Sequence, residues 1–246
     1  NPETFPISVG EDRRSCSDMV PSFLSYVVTL PSRLLLEAPL DAAGTGAWDV
    51  MLRRTQILFN RDDEYQHPSK DFVEPVNNPD VKALADIPGR GGVSMFLKGL
   101  NEAIQQQGGR WEITIVAHSM GAIIANQLLR QVMALKYQIP IQNIVYMAAA
   151  ASVQDVQISV VPYLRKPHQP SFYNLMLHPV ADERERYATV IDPTPRGSLL
   201  IMIDNFLSKP MTYQERTAGR FDNFMRAVHN VPKDVRPRVH IKSFSV

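Results

Sequence analysis

The sequence predicts an α/β fold, a mostly parallel and doubly wound sheet flanked by helices. Two observations carry this prediction: short runs of β-branched residues alternate with stretches of helical periodicity, and one such run leads directly into a helix. Strands that alternate with helices favour parallel pairing because each parallel strand needs a crossover to reach the next. A chain of 246 residues is long enough for one such core. We therefore expect a single domain over residues 1–246, incomplete at one or both ends.

The composition is that of an ordinary globular protein and narrows the choice of partners. Apolar residues make up 44% and charged residues 21%, and a net charge of +1 without a basic stripe argues against nucleic acid. The single cysteine, Cys16, cannot form an internal disulfide or a cysteine zinc site, and no two histidines are four residues apart. We therefore expect no metal site. No secretory signal is visible, which favours a cytoplasmic protein.

Residues 1–92 are predicted to form an irregular region of helices and loops ahead of the core. The most apolar stretch, Met19–Leu40, is interrupted by Pro21, Pro31 and Arg33, which favours a buried or surface-seeking helix over a membrane span. Thr55–Phe59 is predicted to be a strand because it is apolar and partly β-branched. The polar residues 60–92, rich in Asp, Asn and Pro, predict a long irregular loop that could act as a lid.

Residues 93–246 are predicted to carry the sheet and its helices. Apolar residues at helical spacing predict helices, and short β-branched runs between Gly, Pro or polar residues predict strands. The predicted strands are Trp111–Ala117, Asn143–Met147, Ser171–Leu177 and Val239–Phe244. The predicted helices are Val93–Gln107, Gly121–Lys136, Ser198–Leu207 and Tyr213–Val228.

The most informative motif is Ala117-His-Ser-Met-Gly121, at the junction between a predicted strand and a predicted helix. A serine hydroxyl is a weak nucleophile unless a base takes its proton and the oxygen is exposed to substrate. A sharp strand-to-helix turn exposes Ser119, and the turn needs small residues two positions away on either side. Ala117 and Gly121 meet that need. The alternative for Ser119 is an ordinary serine at a helix N-terminus.

This motif resembles the nucleophile elbow of the α/β-hydrolase superfamily, and the chain looks like its lipase- and esterase-like members. Ala117 stands where the family usually has glycine. The resemblance implies that Ser119 is the nucleophile of a catalytic triad and that the Met120 N–H is one oxyanion donor. No His-Gly pair, the family's usual source of the second donor, occurs in the sequence. Gly89-Arg-Gly-Gly92 is better explained as the entry to a helix.

The resemblance also implies an acid after the strand that lies two strands beyond the elbow. Here that strand is Ser171–Leu177, and Asp182 is the first choice, followed by Glu183 and Asp204. The acid would orient a histidine and stabilise its charged form. The alternative for Asp182 is the solvated start of a helix, in a run of opposite charges at i, i+4 spacing.

The resemblance places the histidine of the triad on the loop after the last strand. His240 lies inside the predicted last strand, so His229, which precedes that strand, is the in-chain choice. The other reading is that the histidine belongs to residues after Val246.

Taken together, the resemblance implies a serine hydrolase that cleaves carboxylic esters or lipid-like acyl substrates through an acyl-enzyme on Ser119, with no metal and no organic cofactor. The apolar segment Met19–Leu36 leaves association with a membrane surface open. The alternative is a non-catalytic member of the superfamily that serves as a scaffold or binding module. That alternative is motivated by the missing histidine and oxyanion loop.

Overall fold

The computed structural model describes residues 7–8, 44–59, 91–184 and 197–245. The predicted apolar segment Met19–Leu40 and nearly all of the predicted lid lie outside these residues. The strands are β1 (Ile7–Ser8), β2 (Ile113–His118), β3 (Ile141–Met147), β4 (Ser171–Leu177) and β5 (Val239–Phe244). The helices are α1 (44–57), α2 (Gly92–Gln107), α3 (Gly121–Ala134), α4 (Val153–Leu164), α5 (Pro179–Arg184), α6 (Leu199–Met202) and α7 (Phe221–Ala227). Short π or 3-10 turns cover Ile203–Leu207, Tyr213–Glu215, Val228–Asn230 and Arg236–Arg238.

The strands form one sheet in the order β1-β5-β4-β3-β2, and every neighbouring pair is parallel. The predicted α/β class and parallel sheet are thus confirmed. From β2 to β5 each strand lies beside the next one in the chain. The carboxyl ends of all four therefore meet at one edge of the sheet, which we call the carboxyl edge.

Three helices pack on the same face of this sheet. The Tyr146 hydroxyl of β3 donates a hydrogen bond of 2.7 Å to Asn126 of α3. The Tyr146 ring also meets the edge of the Phe172 ring at 5.1 Å, and Phe172 contacts Phe224 of α7. Residues of α4 and α7 line one small apolar cavity against Phe172. Because right-handed crossovers that advance in one direction stay on one face, this one-sided packing follows from the strand order. On the opposite face, Val116 is 63% exposed.

Most core elements lie where the sequence predicts them. The strands Ser171–Leu177 and Val239–Phe244 have the predicted bounds, and α2 begins one residue before its predicted start. Helix α3 ends at Ala134, two residues early, and Lys136 then takes a φ of 55° that no helix residue has.

Two predictions in the outer segments are wrong. The predicted strand Thr55–Phe59 is instead the last turn of α1, which is helical to residue 57. Trp48, Leu52 and Thr55 are spaced four and three residues apart, which places them on one face, and Trp48 and Thr55 are buried. The predicted helix Tyr213–Val228 is interrupted, because only its two ends are helical.

Helix α4 was not predicted from the sequence. Its start carries a recognisable signal, since the Ser152 hydroxyl accepts a hydrogen bond of 3.0 Å from the Asp155 N–H. Pro162 lies inside its last turn, and proline in a helix interior normally argues against a helix.

Candidate active site

Ser119 occupies a strained turn between β2 and α3. Its φ is +50°, a left-handed conformation that residues other than glycine rarely adopt. The Ser119 N–H donates to the Met147 carbonyl at 2.9 Å, and the Ser119 carbonyl accepts from the Ala150 N–H at 3.0 Å. These two bonds tie the turn to the end of the neighbouring strand. Strain of this kind persists only where the surroundings hold it, and it is frequent at functional sites.

The start of α3 lies directly behind Ser119. The Ala122 N–H donates to the Ser119 carbonyl and the Ile123 N–H to the Met120 carbonyl, at 3.2 and 3.0 Å. Among the described residues, no acceptor receives the Met120 N–H. The first N–H groups of a helix lack intrahelical partners and carry partial positive charge. Met120, the predicted oxyanion donor, is thus placed at the positive end of a helix.

The two predicted small residues of the turn lie against each other. Ala117 is 5% exposed. A Cβ added to Gly121 would stand 3.8 Å from the Ala117 Cβ, which is ordinary van der Waals contact. Larger side chains at both positions would compete for this space.

Residues 216–220, which we call the edge strap, cross the carboxyl edge beside Ser119. The strap bonds to the loop after β3 and to β4. The bonds are Val153 N–H to Arg216 carbonyl, Ala218 N–H to Ala151 carbonyl, Gly219 N–H to Ala149 carbonyl and Asn174 Nδ2 to Ala218 carbonyl, all between 2.8 and 2.9 Å. These bonds explain why the predicted helix through this stretch does not form, since the backbone groups pair across the sheet edge instead.

Gly219 is required by close backbone contact in the strap. An added Cβ would stand 2.1 Å from the Ala149 nitrogen and 2.4 Å from the Ala148 carbonyl carbon. Ala148 itself has a φ of +46°. The loop after β3 is therefore held between Ser119 on one side and the strap on the other.

Asp182 lies in α5, just after β4, at the same carboxyl edge. Two strand spacings separate the ends of β2 and β4, or about 10 Å. The Asp182 residue is 6% exposed, and its Oδ2 accepts a hydrogen bond of 3.1 Å from the Arg220 Nε. Its backbone is fixed as well, because the Ser198 N–H donates to the Asp182 carbonyl at 2.8 Å. The carboxylate is buried and held, unlike the solvated helix start that was the alternative.

Glu183 and Asp204, the two other candidate acids in the sequence, have different surroundings from Asp182. Glu183 is exposed. The Asp204 carboxylate is fully buried and accepts four hydrogen bonds. These come from the Thr217 N–H at 2.8 Å, the Thr217 hydroxyl at 3.2 Å, Arg220 Nη1 at 3.1 Å and Asn223 Nδ2 at 2.7 Å. This full set of partners is typical of a structural carboxylate.

Arg220 joins the two buried carboxylates. Burial lowers the pKa of the Arg220 guanidinium, but its hydrogen bonds to Asp182 and Asp204 outweigh this effect and raise the pKa above its ordinary value. The guanidinium therefore stays charged. One positive charge faces two carboxylates here, and Asp204 already has other donors.

The structure does not bring a described histidine to Ser119. Among the described residues, no histidine ring nitrogen shares a hydrogen bond with it. His229, the in-chain choice, is exposed and lies after α7, which begins at the carboxyl edge and leads back to the start of β5. His229 is therefore carried to the opposite edge of the sheet. His178 is at the carboxyl edge, where its Nδ1 accepts the Val180 N–H at 3.4 Å, and His240 stacks on Tyr173 within the sheet.

A cleft of about 390 Å³, which no sequence pattern predicts, adjoins the Ser119 turn. It lies between α1, α3 and the loop after β3, with Trp48, Ile123, Arg130 and Ala150 in its wall. The Ala150 N–H bonds to the Ser119 carbonyl, so this wall is one hydrogen bond from the Ser119 backbone. Its volume is within the range of small-molecule sites.

The same described ranges lack candidate metal sites and membrane spans. They contain no group of three or more His, Cys, Asp or Glu side chains able to hold a metal ion. None of their helices has the length and apolar character needed to cross a bilayer. Comparisons of the chain with protein-family models, with curated proteins and with solved structures give no match. The interpretation of the site therefore depends on its own geometry.

Proposed function

We propose that this chain is a serine hydrolase of the α/β-hydrolase kind, with Ser119 as its nucleophile and carboxylic esters or lipid-like acyl compounds as its substrates. The observation that carries the proposal is the φ of +50° at Ser119, between a parallel strand and the N-terminus of a helix. A serine that merely caps a helix has an extended backbone and does not need this strain.

The proposed reaction uses the groups at the carboxyl edge. The Ser119 Oγ attacks the acyl carbonyl carbon while a base takes its proton, and the Met120 N–H donates to the oxyanion that develops. The tetrahedral intermediate then expels the alcohol, to which the base returns the proton. Water attacks the acyl-enzyme in the same way and releases the acid. This sequence requires neither a metal nor an organic cofactor.

Asp182 is proposed to orient and stabilise the base. Its position after β4, its burial and its single described donor, Arg220, suit a carboxylate that has one oxygen left for an imidazole. The base itself is proposed to be a histidine outside the described residues, since His229 lies at the other edge. We also propose that the complete sheet is doubly wound, with helices on both faces, as in the α/β-hydrolase family.

One observation favours the alternative, a non-catalytic scaffold or binding module. No described histidine is hydrogen-bonded to Ser119. The elbow strain argues for the enzyme, because a scaffold gains nothing from a left-handed serine.

The deciding experiment is labelling of the purified full-length protein, including any residues that follow Val246, with a fluorophosphonate probe, which reacts with activated serines. We expect labelling of the wild type, loss of labelling in Ser119→Ala, and full labelling in the control variant Ser171→Ala, which changes a half-buried serine at the start of β4. A wild type that takes no label would favour the scaffold. Labelling that survives Ser119→Ala would remove the basis of the proposal.

A panel of esters then defines the substrate class. We expect Ser119-dependent hydrolysis of p-nitrophenyl esters, and the dependence of rate on acyl length separates small esters from lipid-like substrates. The same measurement with a vesicle-bound ester tests action at a membrane surface.

A further inference from the structure

Arg220 stands between two buried carboxylates at the proposed active site. Its Nε donates to Asp182 and its Nη1 to Asp204, both at 3.1 Å. The side chains of Arg220, Asp182 and Asp204 are 15%, 8% and 0% exposed. Water therefore screens these three charges poorly.

The two carboxylates are not equivalent. Asp204 receives donors from Thr217 and Asn223 in addition to Arg220. Asp182 receives one described side-chain donor, which is Arg220. The guanidinium fixes one oxygen of Asp182 and leaves the other oxygen without a described donor.

Arg220 is also linked to Ser119 through the backbone. Arg220 follows Gly219, whose N–H donates to the Ala149 carbonyl. Ala150, the residue after Ala149, donates its own N–H to the Ser119 carbonyl. The edge strap thus connects the acid and the nucleophile over a short path of hydrogen bonds. Displacement of Arg220 would disturb both.

From this arrangement we infer that Arg220 is a positioning residue of the proposed hydrolase: it aims the Asp182 carboxylate and sets the pH range in which the base is active. The inference rests on the proposed function. A positive charge beside Asp182 opposes protonation of the imidazole that Asp182 contacts. Removing that charge would favour the protonated base, which cannot accept the Ser119 proton.

The charged and titratable groups around Asp182 are few in the described part of the chain. They are Arg220 just before α7, Asp204 in the turn after α6, His178 directly after β4, and the exposed Glu183 and Arg184 that follow Asp182 in α5. Arg220 and Asp204 carry charges of opposite sign. Their removal should therefore shift the pH profile in opposite directions.

The test is the pH dependence of the second-order rate of fluorophosphonate labelling at Ser119. In Arg220→Gln we expect slower labelling. The acid limb of the pH profile, where the labelling rate falls because the base becomes protonated, should move to higher pH by about one unit. In Asp204→Asn the acid limb should move to lower pH, because Arg220 then acts on Asp182 alone. Asn223→Ser removes a neutral donor from the same network and should leave the limb in place.

The outcomes separate this inference from the proposed function. Circular dichroism identifies the variants that fold, and either folded charge variant is sufficient for the test. An acid limb that stays in place in a folded Arg220→Gln or Asp204→Asn variant, or that moves equally in Asn223→Ser, would overturn the role of Arg220 alone. A wild type without Ser119 labelling would overturn both.

Discussion

Two arginine–aspartate arrangements at opposite edges of the sheet show what determines the contribution of an ion pair to stability. At the carboxyl edge, Arg220 lies 3.1 Å from both Asp182 and Asp204, and all three side chains are at most 15% exposed. At the opposite edge, the Arg165 Nε lies only 2.7 Å from Asp234, but both side chains are more than half exposed. The shorter contact is in water, where ion pairs contribute little. Burial rather than distance therefore ranks the two arrangements.

Backbone strain, like an ion pair, has to be judged by its surroundings. Lys136 and Gln169 have positive φ angles like that of Ser119, but they lie in exposed turns away from the carboxyl edge. Ser119 is distinguished by its surroundings, a helix N-terminus on one side and a strapped loop on the other. A strained residue points to function only when such groups accompany it.

The largest effect is expected from Arg220→Met, compared with Arg165→Met. Loss of Arg220 leaves two buried carboxylates facing each other, and breaking a buried ion pair costs about 3–5 kcal/mol. The free energy of unfolding from urea titration should fall by that order. Arg165→Met, at an exposed pair, should leave the urea midpoint unchanged.

Equal losses in the two variants would contradict the ranking by burial. The replacement is apolar in both, so the comparison holds side-chain chemistry constant. Unchanged stability in Arg220→Met would mean that water enters and solvates Asp182 and Asp204.

The next effect is expected from Gly219→Ala. The new Cβ must displace the Ala148–Ala149 backbone, and overpacking of this kind costs about 1–3 kcal/mol. Because that loop is bonded to Ser119, labelling at Ser119 should slow as well. The measurement combines urea titration with the labelling rate.

Gly99→Ala is the matched control for this variant. Gly99 lies within α2, and nothing stands within 4 Å of an added Cβ. Alanine there should raise the free energy of unfolding by about 0.5–1 kcal/mol. If Gly219→Ala behaved like Gly99→Ala, the strap would not be tightly packed.

A loss of stability similar to that of Gly219→Ala, but without an effect on the Ser119 turn, is expected from Tyr146→Phe, on the helix-covered face. The Tyr146 hydroxyl donates to Asn126 Oδ1, and Asn126 in turn donates to Asp155. Removing the donor leaves a buried acceptor unpaired, which costs about 1–3 kcal/mol. Asn126→Ala in the Tyr146→Phe background tests this reason, because removal of the acceptor should cost less there than in the wild type.

The same tyrosine predicts a pH dependence. Burial raises the pKa of Tyr146 above its ordinary value of 10.0, and the nearby Asp155 adds to the rise. The folded state thus holds the phenol proton more tightly than the unfolded state does. Its contribution to stability is complete below pH 10 and is lost above it. Tyr146→Phe should therefore flatten the decline of stability between about pH 10 and 11.

The sequence predicts the strands well because their signals are local. Ser171–Leu177 and Val239–Phe244 each bury every second side chain, which is the period of two expected for a strand. The elbow is predicted for the same reason, since one turn needs small residues at fixed offsets. The edge strap, residues 216–220, is not predicted, because the partners of its backbone hydrogen bonds lie far away in the sequence.

The candidate site is predicted only in part, also for physical reasons. Asp182 follows from chain order, whereas the role of Arg220 depends on a contact across 38 residues that no periodicity encodes. The sequence points to His229 because it precedes the last strand, whereas His240 lies inside that strand, but the direction of α7 carries His229 to the other edge. Trp48 and Arg130 line a common cleft only because α1 packs beside α3.

The smallest effect is expected at the exposed pair of Arg165 and Asp234, where the measured quantity is the pKa of Asp234 rather than the free energy of unfolding. The hydrogen bond from Arg165 holds the pKa of Asp234 below its ordinary value of 3.8. The stability from this shift is present above that value and is lost as the pH falls through the folded-state pKa. In Arg165→Gln, the carboxyl resonance of Asp234 should titrate at higher pH, and 1 M salt should move the wild type in the same direction. A salt-independent pKa at Asp234 would show that the pair is shielded from water, and the contrast between the two edges would then fail.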